Sequence, residues 1–391
     1  MAFVNNFAEV AGPLDLEPEI AVVLARRRRN RLKGPYRPRS EAEIQPLLQS
    51  FMEKQEGHAR DKVVNVARLG GGASKEQFRY DLVAPDGTSQ RYVLRMDPLE
   101  SIVETSRLRE FDALRAFEGL LPAPRAMWLD ADGAHFGAPT IVTSFVNGVT
   151  KPKGAPGGNV SGLGTNVGPE WRDVLAKDYI RHWATIHAYD WRSNKLPSFV
   201  VPNKDPQQAA RLHLNWWTQV WIDDVVEPNP TLAAIEGWLR DDIPPCTEFV
   251  FCHSDYRTGN YLIDEDTRKI SAVLDWELAH LGDFHDDLGS AVCKTQGHRD
   301  EKGVFLCSGL LPRRQFLDRY MDATGRTVDI KTLHYYEVLN NFKAIVVMMA
   351  TSHRIATEKH NHQNALQTWI IPAAHVVLSE TCRLIDKGPD L

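Results

Sequence analysis

The periodicity of the chain changes character once, near residue 150, and this change limits the fold more than any other feature. From Val63 to Thr150 the sequence runs in short stretches, VVNVARL, EQFRYDLV, RYVLRM and PTIVTSFV, broken by turn signals such as APDG and DADG. Period-two alternation marks half-buried strands. One helical stretch, TSRLREFDALRAFEGL, follows RYVLRM, giving the order three strands, a helix, two strands. That order predicts a small antiparallel sheet with one helix against it. The Gly-rich stretch 151–169, KPKGAPGGNVSGLGTNVGP, has too few apolar side chains to pack and is expected as a mobile loop between lobes. Beyond Pro169 long helical patterns dominate, around a β-rich segment from Glu248 to Trp276. The expectation is therefore an α+β chain of two lobes: a sheet lobe over 61–150 and a mostly helical lobe over 151–391, preceded by a helical extension over 1–60.

At 391 residues the chain is long enough for two or three such units. Lys plus Arg number 46 and Asp plus Glu 51, a net charge of -5, too balanced to imply a nucleic-acid or membrane surface. The five cysteines form no CxxC pair, which suits a reducing compartment. No secretory leader or 18-residue apolar run is visible, so a cytoplasmic protein, monomer or homodimer, is expected. The extension carries Arg26, Arg27, Arg28, Arg29 and Arg31, read as a solvated helix face whose basic end matches the helix dipole, with a phosphate-binding or targeting patch as the alternative.

The densest chemistry lies in FVFCHSDYRTGNYLIDEDTRKISAVLDWELAHLGDFHDDLG, residues 249–289. An apolar strand, FVFC, opens into a polar loop holding His253, Asp255, Arg257 and Asn260; a ribbon of YLID and KISAVLD follows, turned at DEDT. Such a ribbon brings Asn260, at its start, close to Asp275, at its end. A carboxylate and an amide oxygen meeting there are hard ligands suited to Mg²⁺. A zinc cluster among Cys252, His253, His280, His285 and Cys293 has no matching ligand spacing and leaves Asp255 and Asn260 unexplained.

His253, Asp255, Arg257 and Asn260 also fall at the spacings of a protein-kinase catalytic loop, with Asp275 where the metal-binding aspartate follows. HSDYRTGN followed by LDWELAHLGDFHDDL closely resembles the aminoglycoside phosphotransferase and choline kinase family, in particular the branch associated with acyl-CoA dehydrogenases. The resemblance extends over roughly Val63 to Cys382 and implies a protein-kinase-like bilobal fold and an ATP- or GTP-dependent O-phosphotransferase acting on a small-molecule hydroxyl. Asp255 is then the base that orients the acceptor, Arg257 neutralises the transferring phosphoryl group, and Asn260 and Asp275 hold Mg²⁺. His253 is read as a scaffold residue bonded to backbone near Asp275. Asp283 and Asp287 are expected to tie the loop down and cap the next helix, with Phe284 standing where the family has proline. Glu277 is read as a contact to a second metal or as an ordinary solvated carboxylate.

In the sheet lobe, LGGGASKEQFRYDL resembles the family's first hairpin, with Gly71 and Gly72 as a phosphate nest and Ser74 adding a hydroxyl. Arg95 stands where kinases carry the phosphate-binding lysine, and Glu110 is its helix partner. Phe145 and Val146 are the candidate hinge contacts to a purine.

For the acceptor, Trp216, Trp217 and Trp221 lie near Asp223, Asp224 and Glu227. Helix spacing favours core packing for the tryptophans and a solvated helix end for the acids. The alternative to an enzyme is a catalytically impaired kinase-like nucleotide or ligand binding protein, for which the substitution of lysine by Arg95 is the best support.

Overall fold

The computed structural model describes residues 14–70, 74–157 and 164–389. The chain opens with two helices, α1 (Pro18–Asn30) and α2 (Glu41–Met52). At the start of α2, Glu43 reaches back to accept from the Ser40 amide at 2.8 Å, satisfying one of the donors that a helix start leaves open. Strands β1 (Lys62–Arg68), β2 (Glu76–Val83) and β3 (Ser89–Met96) follow, then α3 (Arg107–Ala116), β4 (Ala126–Asp130) and β5 (Thr140–Ser144). All pair antiparallel, as the sequence order of elements led us to expect, in the spatial order β1-β2-β3-β5-β4. Phe78, Tyr80 and Leu82, two apart on β2, point to one face, where Ile44, Leu48 and Phe51 of α2 cover them.

The helical lobe contains α4 (Pro169–His187), α5 (Gln208–Asp224) and α6 (Pro230–Asp241). Next come β6 (Phe249–Cys252), β7 (Tyr261–Asp264), β8 (Lys269–Val273), β9 (His280–Asp283), α7 (Phe284–Val292), α8 (Arg313–Thr324) and α9 (Ile330–Ile345). The lobe closes with α10 (Ser352–Glu358), α11 (Asn364–Ile370) and α12 (Ala373–Lys387). Trp171, Leu175, Tyr179 and Trp183 recur every fourth residue along α4 and bury a stripe against Phe251, Trp276, Leu288 and Tyr320. This core carries the polar loop between β6 and β7 on a rigid base.

Two expectations need correction. The lobes are joined at 145–149, where Val149 pairs with Ile263 through bonds of 2.9 and 2.8 Å, so the Gly-rich stretch begins after the chain has entered the helical lobe. Gly148 passes so close to the ribbon that a Cβ there would lie 2.7 Å from Ser271 Oγ. The N-terminal arginines are only in part a solvated face: Arg28 and Arg29 are exposed, but Arg26, Arg27 and Arg31 turn to partners in the fold. Ile20 and Leu24 pack with Leu214 and Trp217 of α5 and Leu339 of α9. Arg27 is 1% exposed and sets Nη2 2.7 Å from Asp224, which is itself fully buried rather than at a solvated helix end. Arg31 and Arg354 converge on Asp224 too, and Arg28 pairs with Asp223 at 2.9 Å. On the other side α1 reaches the sheet lobe, Arg26 to Asp97 at 3.1 Å, Glu19 accepting from Ser106 at 2.7 Å and Glu17 from Arg109 at 2.5 Å. The spacing of arginines looked like surface because their partners lie about 70 and 195 residues away in the chain, beyond any local pattern.

Candidate active site

Strand β6 ends at Cys252 and the chain turns sharply through Ser254, whose φ of 66° lies in the left-handed region. A buried carboxylate holds that turn: Asp287 of α7 accepts from the amides of His253 at 2.9 Å and Ser254 at 2.5 Å. His187 stands against the same group at 3.0 Å. Asp283 caps α7, accepting from the His285 amide at 2.9 Å. Phe284, in the proline position, is buried and stacks on His285 and Tyr320.

The turn presents Asp255 with both oxygens engaged. Oδ1 accepts from Arg257 Nε at 3.0 Å and Oδ2 from Asn260 Nδ2 at 2.5 Å, so the carboxylate has one orientation. Asn260 also donates from Nδ2 to the Asp255 carbonyl at 2.9 Å. Its own carbonyl accepts from the Leu274 amide at 2.9 Å, which brings the residue before Asp275 to the mouth of the β7–β8 ribbon. His253 Nε2 meets the Leu274 carbonyl at 3.0 Å, and burial holds its pKa below the ordinary value.

Asp275 has a φ of 65°, again left-handed, a strain of the kind that collects at functional sites. Its Oδ1 lies 2.8 Å from Arg95 Nη2, while Arg95 Nη1 pairs with Glu110. Burial pushes the Asp275 carboxyl above the usual carboxylate range, Glu277 adds to the rise, and Arg95 opposes it.

Glu277 is not a solvated carboxylate. It is buried and pairs with Arg107 at 2.8 Å and Lys75 at 3.6 Å, and accepts from Thr105 Oγ1 at 3.1 Å. Burial alone would raise its pKa, but Lys75, Arg107 and Arg95 together hold it below the ordinary value. Lys75 is fully buried, donating to Ser101 Oγ at 2.7 Å and lying 3.3 Å from Asp97. Arg107 joins Glu110 to Glu277, so one continuous network runs from Lys75 to Asp275. Sequence reasoning missed Lys75, Asp97 and Arg107. Arg107 was detectable, three residues before Glu110 on one helix face; Lys75 offered only its place after the Gly-rich turn.

The remaining candidates are placed less centrally. Gly71 and Gly72 lie outside the described residues. Ser74, two residues after Gly72, has a buried Oγ with no hydrogen-bond partner. The Phe145 amide donates to the Arg91 carbonyl at 3.2 Å, with Val146 next in the lobe crossing. Trp216 and Trp217 stack on each other in the core, 5.0 Å between ring centres.

Comparison with known proteins agrees with this geometry. The profile of the phosphotransferase enzyme family matches residues 65–326. Among curated relatives, the acyl-CoA dehydrogenase candidate IBR3 of Arabidopsis thaliana is 25% identical over 301 residues, covering 71% of this chain and 35% of its own length. The chain thus spans about a third of that relative. Among solved structures, a candidate aminoglycoside phosphotransferase of Ralstonia eutropha superposes with a TM-score of 0.60 at 21% identity, over 86% of this chain and 98% of the other. An ethanolamine kinase of Plasmodium vivax gives 0.53 at 10% identity, over 92% and 94%. The kinase-like bilobal α+β fold is thereby shown, and the chain belongs to the phosphotransferase enzyme family.

Proposed function

We propose that the chain transfers the γ-phosphoryl group of ATP or GTP to a hydroxyl of a small molecule. The observation that carries this reading is the side-chain contact of Asp255 with Asn260 together with the main-chain bond from Leu274, next to Asp275, to Asn260, with Arg95 linking Asp275 to Glu110 of the sheet lobe. Asn260 and Asp275 offer amide and carboxylate oxygens, a donor set that fits Mg²⁺, and burial of Asp275 favours a cation beside it. When bound there with the nucleotide, Mg²⁺ would neutralise charge on the phosphate oxygens.

The protein's own groups do the rest. Asp255, fixed by Arg257 and Asn260, would accept the acceptor's hydroxyl proton as the bond to phosphorus forms. Arg257 keeps Nε on Asp255 and Nη1 on the Thr258 carbonyl, and its charge beside Asp255 would help neutralise the transferring group. His253 holds the loop to Leu274, a positioning role. In the sheet lobe the partnerless Ser74 hydroxyl, with Gly71 and Gly72, would meet phosphate oxygens. Val146 would supply the hinge amide to a purine, since that of Phe145 is used on Arg91. The domain limits that go with this reading are 61–150 for nucleotide binding and 151–391 for catalysis and the acceptor.

The acids at the end of α5 are neutralised by arginines, which argues against their use in holding a polycationic acceptor. Five free cysteines, four of them buried, suit the reducing cytoplasm as the working compartment. No helix among the described residues is long and apolar enough to cross a membrane. A non-catalytic binding protein is the second reading, favoured by Arg95 occupying Asp275. A screen of hydroxylated metabolites and antibiotics for acceptor-stimulated release of ADP or GDP decides between them. Release with at least one acceptor supports the enzyme; nucleotide-dependent thermal stabilisation without turnover supports the second reading, and neither result would end both.

A further inference from the structure

Against Ser254 of the catalytic loop, three metal-ligating side chains from three elements meet. His213 of α5, His280 of β9 and Asp286 of α7 place their ligand atoms within 4.8 Å of one another, and all three residues are buried. His213 Nδ1 is 2.6 Å and His280 Nε2 3.1 Å from the same oxygen, Asp286 Oδ2. We propose that His213, His280 and Asp286 form a binding site for a borderline transition-metal ion of the Zn²⁺ class, separate from the hard-oxygen pair Asn260 and Asp275.

The surroundings are those of a ligand set. Metal-bound imidazoles use their second nitrogen on a carbonyl or hydroxyl that fixes the ring. His280 does this, with Nδ1 3.3 Å from the Leu278 carbonyl and 3.1 Å from Ser254 Oγ, so Nε2 is the atom turned to Asp286. The other carboxylate oxygen, Asp286 Oδ1, is held by Asn340 Nδ2 at 2.9 Å, leaving Oδ2 to face the two rings. Space beside His280 is kept by Gly282, where a Cβ would fall 2.8 Å from Nε2.

The other such cluster among the described residues, Glu100, Glu358 and His360, differs, because Glu358 is exposed and Arg27, Arg31 and Arg354 already surround Glu100.

Two imidazoles and one carboxylate select Zn²⁺ or Co²⁺ over Mg²⁺. Ligands at 2.0–2.1 Å in a tetrahedron are about 3.3 Å apart. The His280 contact with Asp286 is near that spacing, the His213 contact is about 0.7 Å shorter, and all three ligand atoms lie within 4.8 Å of one another. Ser254, bonded to His280, precedes Asp255, so occupancy would be felt at the catalytic loop.

The full chain, stripped with a chelator and titrated with Co²⁺ in a large excess of Mg²⁺, tests this without reference to phosphoryl transfer. One Co²⁺ per chain is expected, with the intense visible absorption of tetrahedral nitrogen and oxygen ligation and displacement by Zn²⁺. His213→Ala and His280→Gln, checked for fold by circular dichroism, should each weaken binding at least tenfold, and Asp275→Asn should leave it unchanged. A wild-type spectrum that stays that of aqueous Co²⁺, or binding indifferent to both histidine variants, would overturn the proposal and leave a hydrogen-bonded triad only. Should both variants misfold, the wild-type spectrum alone decides.

Discussion

Arg95 Nη2 lies 2.8 Å from Asp275 Oδ1, and the same guanidinium pairs through Nη1 with Glu110. The residue in the place of the kinase lysine therefore spans two carboxylates at once, which a lysine's single point charge does less well. Arg95→Lys is expected to lower kcat/KM for the nucleotide about tenfold, roughly 1.4 kcal/mol, by loosening one of the two contacts. Steady-state kinetics with varied nucleotide measures it; an unchanged value would show that the bridge is dispensable.

Asp255 takes a donor on each oxygen, from Arg257 and Asn260; an Asn in its place keeps one acceptor oxygen and so one of the two contacts, while Asp287 still holds the turn through the His253 and Ser254 amides. Asp255→Asn should thus preserve the loop while removing the proton acceptor. Turnover should fall by about 10²–10⁴-fold, with nucleotide affinity by calorimetry within about twofold of wild type. Full turnover in the variant would remove Asp255 from the role of base.

Glu277 balances the buried cations Lys75 and Arg107. Glu277→Gln keeps the shape but leaves that positive charge short of a partner, a loss of about 3–5 kcal/mol by the measure of broken buried pairs. Urea denaturation reads it directly. A carboxylate facing water would cost close to nothing, and that result would contradict the buried position.

Acid should loosen the contact between α1 and α5. Asp224 would be raised by burial, but Arg27, Arg354 and Arg31 hold its pKa below the ordinary 3.8. A carboxyl depressed in the folded state stabilises the fold above its unfolded pKa, and that contribution is lost as pH falls through the folded value. Thermal midpoints should therefore drop as pH falls below about 4. Asp224→Asn should lower stability near neutrality and flatten this acid slope; parallel slopes for the two proteins would show that Asp224 is not the titrating group.

What could be read without coordinates was whatever local spacing encodes. The strand order, the helix after β3, the ribbon at 261–273 and the loop from His253 to Asn260 all declare themselves within a few residues. Trp217 was legible as core by the same rule. Charge was not, because whether an arginine or a glutamate is solvated depends on a partner's place in space. Arg27 and Asp224 are separated by nearly 200 residues, and Glu277 meets Lys75 only once the lobes are packed. The reading of Arg27 and Asp224 as solvated, and the solvated alternative for Glu277, failed for that one reason, and Lys75 went unnoticed for it.

Since α1 is bonded to both lobes, the useful minimum of this protein is longer than its kinase-like region. A recombinant fragment trimmed to begin at β1 would strip Asp224, Glu100 and Glu104 of the Arg27 guanidinium and bare the greasy side of α5. Poor solubility in such a truncation would be a symptom of the missing helix and would say nothing against catalysis.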